Sequence, residues 1–209
     1  MKNTIRNFAR ITFAVIALSF VLASCKKEND TSSPLSLKNA KATVSPAADT
    51  LVGNWGNPIP PTGGPATYGT VYANLVTGAQ SASSSGFTHH LFFNSYNNSV
   101  INPATGYSLR YLNTTTALSS ISLSDYTNAV PVTSLGESST TDPANADLNA
   151  TGWYTYQPEG DIAVVENLII FVRNNSTGVT YAVQFTDAEG QGVAVNNRGV
   201  YWFNRGQVL

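Results

Sequence analysis

Apolar and polar residues alternate most clearly in the stretch 152–187, which also has the densest apolar and aromatic content downstream of the N-terminus. Within it, the run 168–173 (LIIFVR) is almost wholly apolar, and 179–185 (VTYAVQF) alternates apolar with polar or small positions. The segment 174–178 (NNSTG) between them has the composition of a turn. Two β-rich runs joined by a short loop that contains glycine predict a β-hairpin.

Shorter patterns elsewhere predict more strands and very little helix. The predicted strands are 67–75, 87–95, 107–112 and 199–203. Polar or glycine-containing stretches predict a long loop at 134–150 and a turn region at 187–197, and Ser124-Asp125 could cap one helical turn at 122–127. No long pattern with a 3.6-residue period lies outside the leader, so we expect an all-β fold of mostly antiparallel sheets of short strands.

The first 24 residues have the pattern of a secretory signal peptide. Three basic residues precede the apolar run 11–22, which is too short to span a bilayer as a mature helix. The run ends in Leu-Ala-Ser-Cys, so small residues precede Cys25 as in a bacterial lipobox. This pattern predicts removal of 1–24 and lipidation of Cys25, with an ordinary signal peptide and an incidental cysteine as the alternative. We therefore expect a lipid-anchored, extracytoplasmic protein of the outer membrane or cell surface.

Composition after the cysteine predicts a tether followed by one folded domain. Residues 25–64 begin with a polar, unpatterned run and end in the Pro/Gly segment 57–65 (NPIPPTGGP), which favours an extended chain. We expect the tether to cover 25–64 and the β domain to cover 65–209. Trp55, isolated within the tether, is expected to pack on the edge of the domain.

The charge pattern excludes one class of partner. Every lysine lies at or before Lys41, and only four arginines follow, against a larger set of scattered acids. Nucleic-acid binding needs clustered basic residues that neutralise phosphates, and the sequence has no such cluster.

The two histidines are adjacent, at His89 and His90. Successive side chains of a strand point to opposite faces, so the pair would not readily hold one metal ion, and we expect no metal site. One histidine is expected to be buried and the other exposed, or one could serve as a single axial ligand to haem. No serine lies in a nucleophile motif and no paired carboxylates look catalytic, so we do not expect an enzyme.

Aromatic residues offer the remaining chemistry. Trp153 differs in face from Tyr154 and Tyr156, and each of the three is by default a core residue. Any that faces outward would form a platform for a flat or apolar ligand.

These residues resemble the HmuY-like lipoproteins of Bacteroidetes, which include haem-binding, hemophore-like members. The resemblance is carried by Gly152-Trp153-Tyr154, by Ile169-Ile170-Phe171-Val172-Arg173, by Gly178 and by Tyr181–Asp187 (YAVQFTD). Weaker similarity covers 72–78, 87–93 and the Asn/Gly turn at 102–106.

The resemblance implies an all-β, non-enzymatic protein that captures haem or another porphyrin, with an outer-membrane receptor as a further partner. It also implies two axial ligands, His or Met, from loops on either side of the Gly-Trp strand. The loop 134–150 has neither, and Gln157 stands where the second ligand would be expected.

A tyrosine such as Tyr154 or Tyr156 could ligate the iron instead. The predicted ligand-binding residues are Tyr154, Tyr156, Gln157, His89 and His90. The alternative is a structural or protein-interaction surface lipoprotein that has kept the fold and lost the haem site.

Overall fold

The computed structural model describes residues 44–58, 66–139, 148–156 and 162–209, all of which belong to one compact unit. The predicted signal peptide, Cys25 and Gln157 lie outside the described residues. Within those residues, none of the helices has the length and apolar character needed to cross a membrane.

The described chain is built mostly from short strands, as the alternation predicts, but its last two strands are long. In chain order they are β1 Ala47–Val52, β2 Val71–Ala73, β3 Gln80–Ser81, β4 Leu91–Asn94, β5 Val100–Pro103, β6 Tyr107–Asn113, β7 Val130–Val132, β8 Tyr154–Tyr156, β9 Ile162–Val164, β10 Leu168–Asn174, β11 Thr180–Val193 and β12 Asn196–Val208. The helical elements are 3-10 turns at Tyr96–Asn98 and Leu118–Ser120 and one α-helix, α1, at Leu123–Asn128.

The strands form three sheets, and neighbouring strands pair antiparallel throughout. A six-stranded sheet has the order β1-β12-β11-β10-β6-β7, a four-stranded sheet has the order β3-β2-β4-β5, and β8 pairs with β9. The all-β prediction is confirmed.

The predicted hairpin is confirmed as β10 and β11, in which Ile170 lies opposite Val183. Both edges of β10 are paired, with β6 and with β11, and its side chains from Leu168 to Val172 are buried on both faces. Ile170 belongs to the main core between the sheets, whereas Phe171 faces a smaller core beneath α1 and the 3-10 turn at Leu118–Ser120. Burial on both faces explains why the run 168–172 is apolar at every position.

The N-terminal part of the domain differs from the prediction. Ala47–Val52, predicted as tether, forms the edge strand β1, which pairs with β12 from Ala47↔Arg205 to Val52↔Val200. This strand was not predictable from its own sequence, because only one of its side chains, Leu51, is buried. Trp55 follows it, with the guanidinium carbon of Arg198 4.6 Å from the centre of its ring.

The predicted turn region 187–197 is also wrong, because β11 and β12 continue through it as a long hairpin. Gly190 lies opposite Gly199, and the pairing ends at Val193↔Asn196. The register shifts between Phe185 and Asp187, which marks a β-bulge. Gly190 and Gly192, which were expected to be turn residues, are strand residues of β11, and Gly199 in β12 sits in a crowded position. An added Cβ at Gly199 would lie 2.0 Å from the Tyr201 hydroxyl.

The predicted helical turn is confirmed as α1, one residue further along than expected. Ser122, rather than Ser124, caps it. The Ser122 backbone N–H and hydroxyl both donate to the Asp125 carboxylate, at 2.8 and 2.7 Å.

Candidate functional site

An open cleft of about 1390 Å³ lies where three parts of the chain meet. One wall is the segment around the 3-10 turn Tyr96–Asn98, and a second contains Tyr154, Tyr156 and Glu137. The third is the far end of the β11–β12 hairpin, from Ala188 to Ala194 together with Asn197.

The strand β8 brings two of the predicted site residues, Tyr154 and Tyr156, into the cleft. They point to the same face, and their ring centres are 5.6 Å apart with the ring planes perpendicular. Tyr154 is buried and its hydroxyl lies 3.0 Å from the Ser99 hydroxyl, whereas Tyr156 is 38 % exposed. Burial raises the pKa of both phenols, and the hydrogen bond with Ser99 only partly offsets this at Tyr154. Both tyrosines are therefore neutral at physiological pH.

The Gly152-Trp153 pair before these tyrosines is scaffold. Trp153 is fully buried, donates from Nε1 to the Ser99 carbonyl at 2.8 Å and stacks on Phe185 at 4.2 Å between ring centres. A Cβ on Gly152 would lie 2.3 Å from the backbone carbon of Glu137, so this position requires glycine. Close approach of the two backbones positions Glu137 beside Tyr154, with which it forms a parallel bridge.

The two histidines lie just before β4 and not in the cleft lining. His90 is buried, accepts at Nδ1 from the Leu75 backbone N–H at 3.0 Å and packs edge-on against Tyr107 and Tyr181. Burial lowers the pKa of His90, so it is the neutral form that completes this contact. His89 is half-buried against Tyr72.

The predicted site residues thus fall in two places, with Tyr154 and Tyr156 together and the histidines elsewhere. In the described part of the chain, no three His, Cys, Asp or Glu side chains are grouped so that they could hold a metal ion.

Sequence reasoning missed the wall formed by Ser95–Asn98. Three non-glycine residues there have positive φ angles, 65° at Ser95, 52° at Asn97 and 58° at Asn98. Each such residue costs about 1–3 kcal/mol and persists only where its surroundings hold it. Hydrogen bonds hold this segment in place, because the Asn98 side-chain amide donates to the carbonyls of Gly69 and Phe93 at 3.0 and 3.2 Å.

Tyrosine hydroxyl groups support this wall and the β11–β12 wall. Tyr201 donates to the Asn97 carbonyl at 2.7 Å, and Tyr68 donates to the Asn197 side chain. Burial raises the pKa of Tyr68 to about 12, and burial also raises that of Tyr201. The adjacent asparagines are the one sequence signal of this wall, because asparagine tolerates left-handed angles better than most residues.

The charged residues in the described lining of the cleft are both acidic. Glu137 and Glu189 line it, and its described lining includes no lysine, arginine or histidine. Arg198 lies close by on β12 but is engaged, since its Nη2 donates to Gln191 at 2.8 Å and its guanidinium covers Trp55. The cleft combines neutral phenols, half-exposed rings and carboxylates.

Comparison with protein-family models, curated proteins and solved structures found no match to this chain. The all-β fold therefore stands on the structure, and the similarity to HmuY-like lipoproteins stays a prediction from the sequence.

Proposed function

We propose that this chain is a non-enzymatic, lipid-anchored surface protein whose β domain captures a ligand in the cleft lined by Tyr96 and Tyr156. One observation carries the proposal: two large aromatic side chains remain 40 % and 38 % exposed at a cavity big enough for a small-molecule ligand. Tyrosine is favoured at binding surfaces because its ring is apolar while its hydroxyl can hydrogen-bond.

The walls of the cleft are rigidly supported, which suits binding. Ser99 joins two of them, since its carbonyl accepts from Trp153 and its hydroxyl contacts Tyr154. Tyr201 on β12 fixes the first wall to the sheet through the Asn97 carbonyl. A preformed site loses little conformational freedom when a ligand binds.

The position of the cleft along the sheet also supports capture from outside. The chain enters the sheet at Ala47, opposite Arg205, whereas the cleft is bordered by Asn197, eight residues earlier on β12. At about 3.4 Å per strand residue this separation is about 27 Å. The cleft therefore lies toward the end of the sheet away from Ala47, where the chain coming from the predicted lipid anchor enters it.

A porphyrin is the first ligand to test, because it is flat and could stack on the rings of Tyr96 and Tyr156. An iron ligand from this cleft would be a tyrosine hydroxyl. Burial raises the pKa of Tyr156, so iron would have to displace a proton that is firmly held at neutral pH.

A second candidate is a protein-interaction lipoprotein without haem, and the charge of the cleft favours it. Porphyrin carboxylates would meet Glu137 and Glu189, with no basic side chain in the described lining to pair with them.

Haemin titration of the purified full chain separates the two. The proposal expects a saturable change of the Soret band in the wild type that is lost in Gly190→Trp. An added Cβ at Gly190 meets nothing within 4 Å, so tryptophan there fills the cleft without a clash at Cβ. Gln207→Trp, on an exposed position near the other end of β12, is the matched control.

Equal Soret changes in wild type and Gly190→Trp would place haem outside the cleft and contradict its role. The absence of a saturable Soret change in the wild type would exclude a porphyrin as the ligand and leave the protein-interaction lipoprotein as the candidate function.

A further inference from the structure

We infer that the cleft takes a positively charged organic group with N–H donors, a guanidinium or a primary ammonium, between the rings of Tyr96 and Tyr156 and the carboxylate of Glu137. The inference rests on the proposed function, because it names the ligand class of the same cleft. Three independent features of the lining point to this chemistry.

The first feature is the pair of half-exposed rings. Tyr96 and Tyr156 both line the cleft, and neither ring is covered by an arginine or lysine among the described residues. A tyrosine ring attracts a cation over its face by about 0.5–2 kcal/mol, with the larger values in desolvated sites.

The second feature is uncompensated negative charge. Glu137 is exposed in the cleft wall, and the described residues give it no basic partner. Glu137 and Tyr156 line the same cleft. Burial is the main cause that raises the pKa of Tyr156, and the neighbouring tyrosines and then the charge of Glu137 add to it. A cationic ligand would neutralise this charge, whereas an anionic ligand would be repelled.

The third feature is an unused hydrogen-bond acceptor. Asn97 lines the cleft and is only 9 % exposed, yet its Oδ1 is buried without a hydrogen-bond partner among the described residues. Leaving such an atom unpaired costs about 1–3 kcal/mol. Guanidinium and ammonium groups carry donors and no acceptors, and therefore match the exposed Glu137 carboxylate. The enclosed Asn97 Oδ1 becomes a second acceptor for such a group when its side chain turns toward the cleft.

The test compares a cation with its neutral isostere. N-acetyl-arginine amide and N-acetyl-citrulline amide have nearly the same shape and differ in the charge of the terminal group. Isothermal titration of the full chain is expected to show arginine amide binding at least about tenfold more tightly than citrulline amide, and more weakly as salt is added.

Two variants assign the binding to the cleft. Glu137→Gln and Tyr156→Leu are each expected to weaken arginine amide binding by about tenfold. Tyr156→Phe keeps the ring and is expected to bind within about threefold of the wild type. Glu166→Gln makes the same charge change in the turn before β10 and is expected to have no effect, which controls for net charge.

Two further probes distinguish a free small-molecule cation from an arginine side chain of a peptide. Agmatine is a small molecule with one guanidinium and one ammonium group, and Gly-Arg-Gly amide presents the guanidinium as a peptide side chain. Tighter binding of agmatine than of the peptide indicates a small-molecule ligand, and tighter binding of the peptide indicates an arginine side chain of a peptide. Either outcome supports a cationic ligand.

Equal affinity for arginine and citrulline amides, or no saturable binding of any cation, would overturn the inference. If haemin binds wild type but not Gly190→Trp while the cations fail, the proposed function stands and only the ligand class is wrong. If neither haemin nor the cations bind, the inference and the proposed haem ligand fail together.

Discussion

At the scale of single residues, the tyrosines around the cleft divide into two roles. Tyr201 donates to the Asn97 carbonyl and Tyr68 to the Asn197 side chain, so each supports one wall of the cleft, and the buried Tyr154 contacts Ser99. Tyr96 and Tyr156 keep much of their ring surface exposed. The first group makes the site rigid, and the second offers surface to a ligand.

His90 predicts a pH dependence of stability. Burial lowers its pKa in the folded protein, so the unfolded chain takes up a proton first as the pH falls. The stabilisation is present above the ordinary histidine pKa of about 6.5 and is lost progressively below it, toward the lower folded value. Protonation of Nδ1 would also break the bond from the Leu75 N–H.

We therefore expect urea denaturation to show a smaller free energy of unfolding at pH 5 than at pH 7. His90→Gln should reduce that difference, whereas His89→Gln should retain it. A wild-type difference unchanged by His90→Gln would exclude this histidine as the cause.

The buried Arg205 side chain predicts that removing the charge of its partner, Asp49, lowers the free energy of unfolding by a large amount. The Arg205 side chain is 10 % exposed, pairs with Asp49 and donates from Nη1 to the Leu75 carbonyl at 2.7 Å. Asp49→Asn leaves the guanidinium without its counter-charge, which typically costs about 3 kcal/mol or more. Chemical denaturation measures this, with Asp187→Asn, a carboxylate on β11 outside this pair, as the control. A loss below about 1 kcal/mol would show that the pair behaves as a surface salt bridge.

Residue roles were predictable where the strand period alone decides them. The shared face of Tyr154 and Tyr156 follows from their spacing in β8. His90 is buried, as expected for one of the two histidines, but His89 is half-buried rather than exposed, and both lie before β4 begins. Asn97 was not predictable as a site residue, because its role depends on a left-handed backbone and on Tyr201, which is distant in sequence.

At the scale of elements, the strand β1 shows why the tether was overestimated. An edge strand needs few buried side chains, since one neighbour satisfies its backbone and one face can be exposed. AADTLV buries Leu51 and pairs Asp49 with Arg205, but nothing in its own composition indicates a strand. Its position depends on β12, about 150 residues later in the chain.

The strand β1 also predicts where the protein can be shortened. Removing residues 44–52 exposes the edge of β12 and leaves Arg205 unpaired, so we expect a loss of at least about 3 kcal/mol or aggregation. Removing 26–43, within the predicted tether, is expected to leave stability unchanged. Thermal and urea denaturation of the two deletions against the full chain check this. Equal stability of both deletions would contradict a structural role for β1.

At the scale of the whole molecule, local alternation was enough to predict the all-β class but not the order of strands. The β10–β11 hairpin was predictable because its two runs and its turn are adjacent in sequence. The cleft was not, since it joins the 3-10 turn, β8 and the β11–β12 hairpin, and the last of these read as a turn region.

The central claim is that ligand binds between Tyr96 and Tyr156. The most direct measurement follows the ring resonances of ¹³C-tyrosine-labelled protein during titration with N-acetyl-arginine amide and, separately, with haemin. We predict that at least one of these ligands shifts Tyr96 and Tyr156 in a saturable way. Tyr126, which packs under Arg110 and Arg173 on the other face of the sheet, is predicted to stay unchanged. Shifts confined to Tyr126, or none at Tyr96 and Tyr156 with either ligand, would contradict the claim.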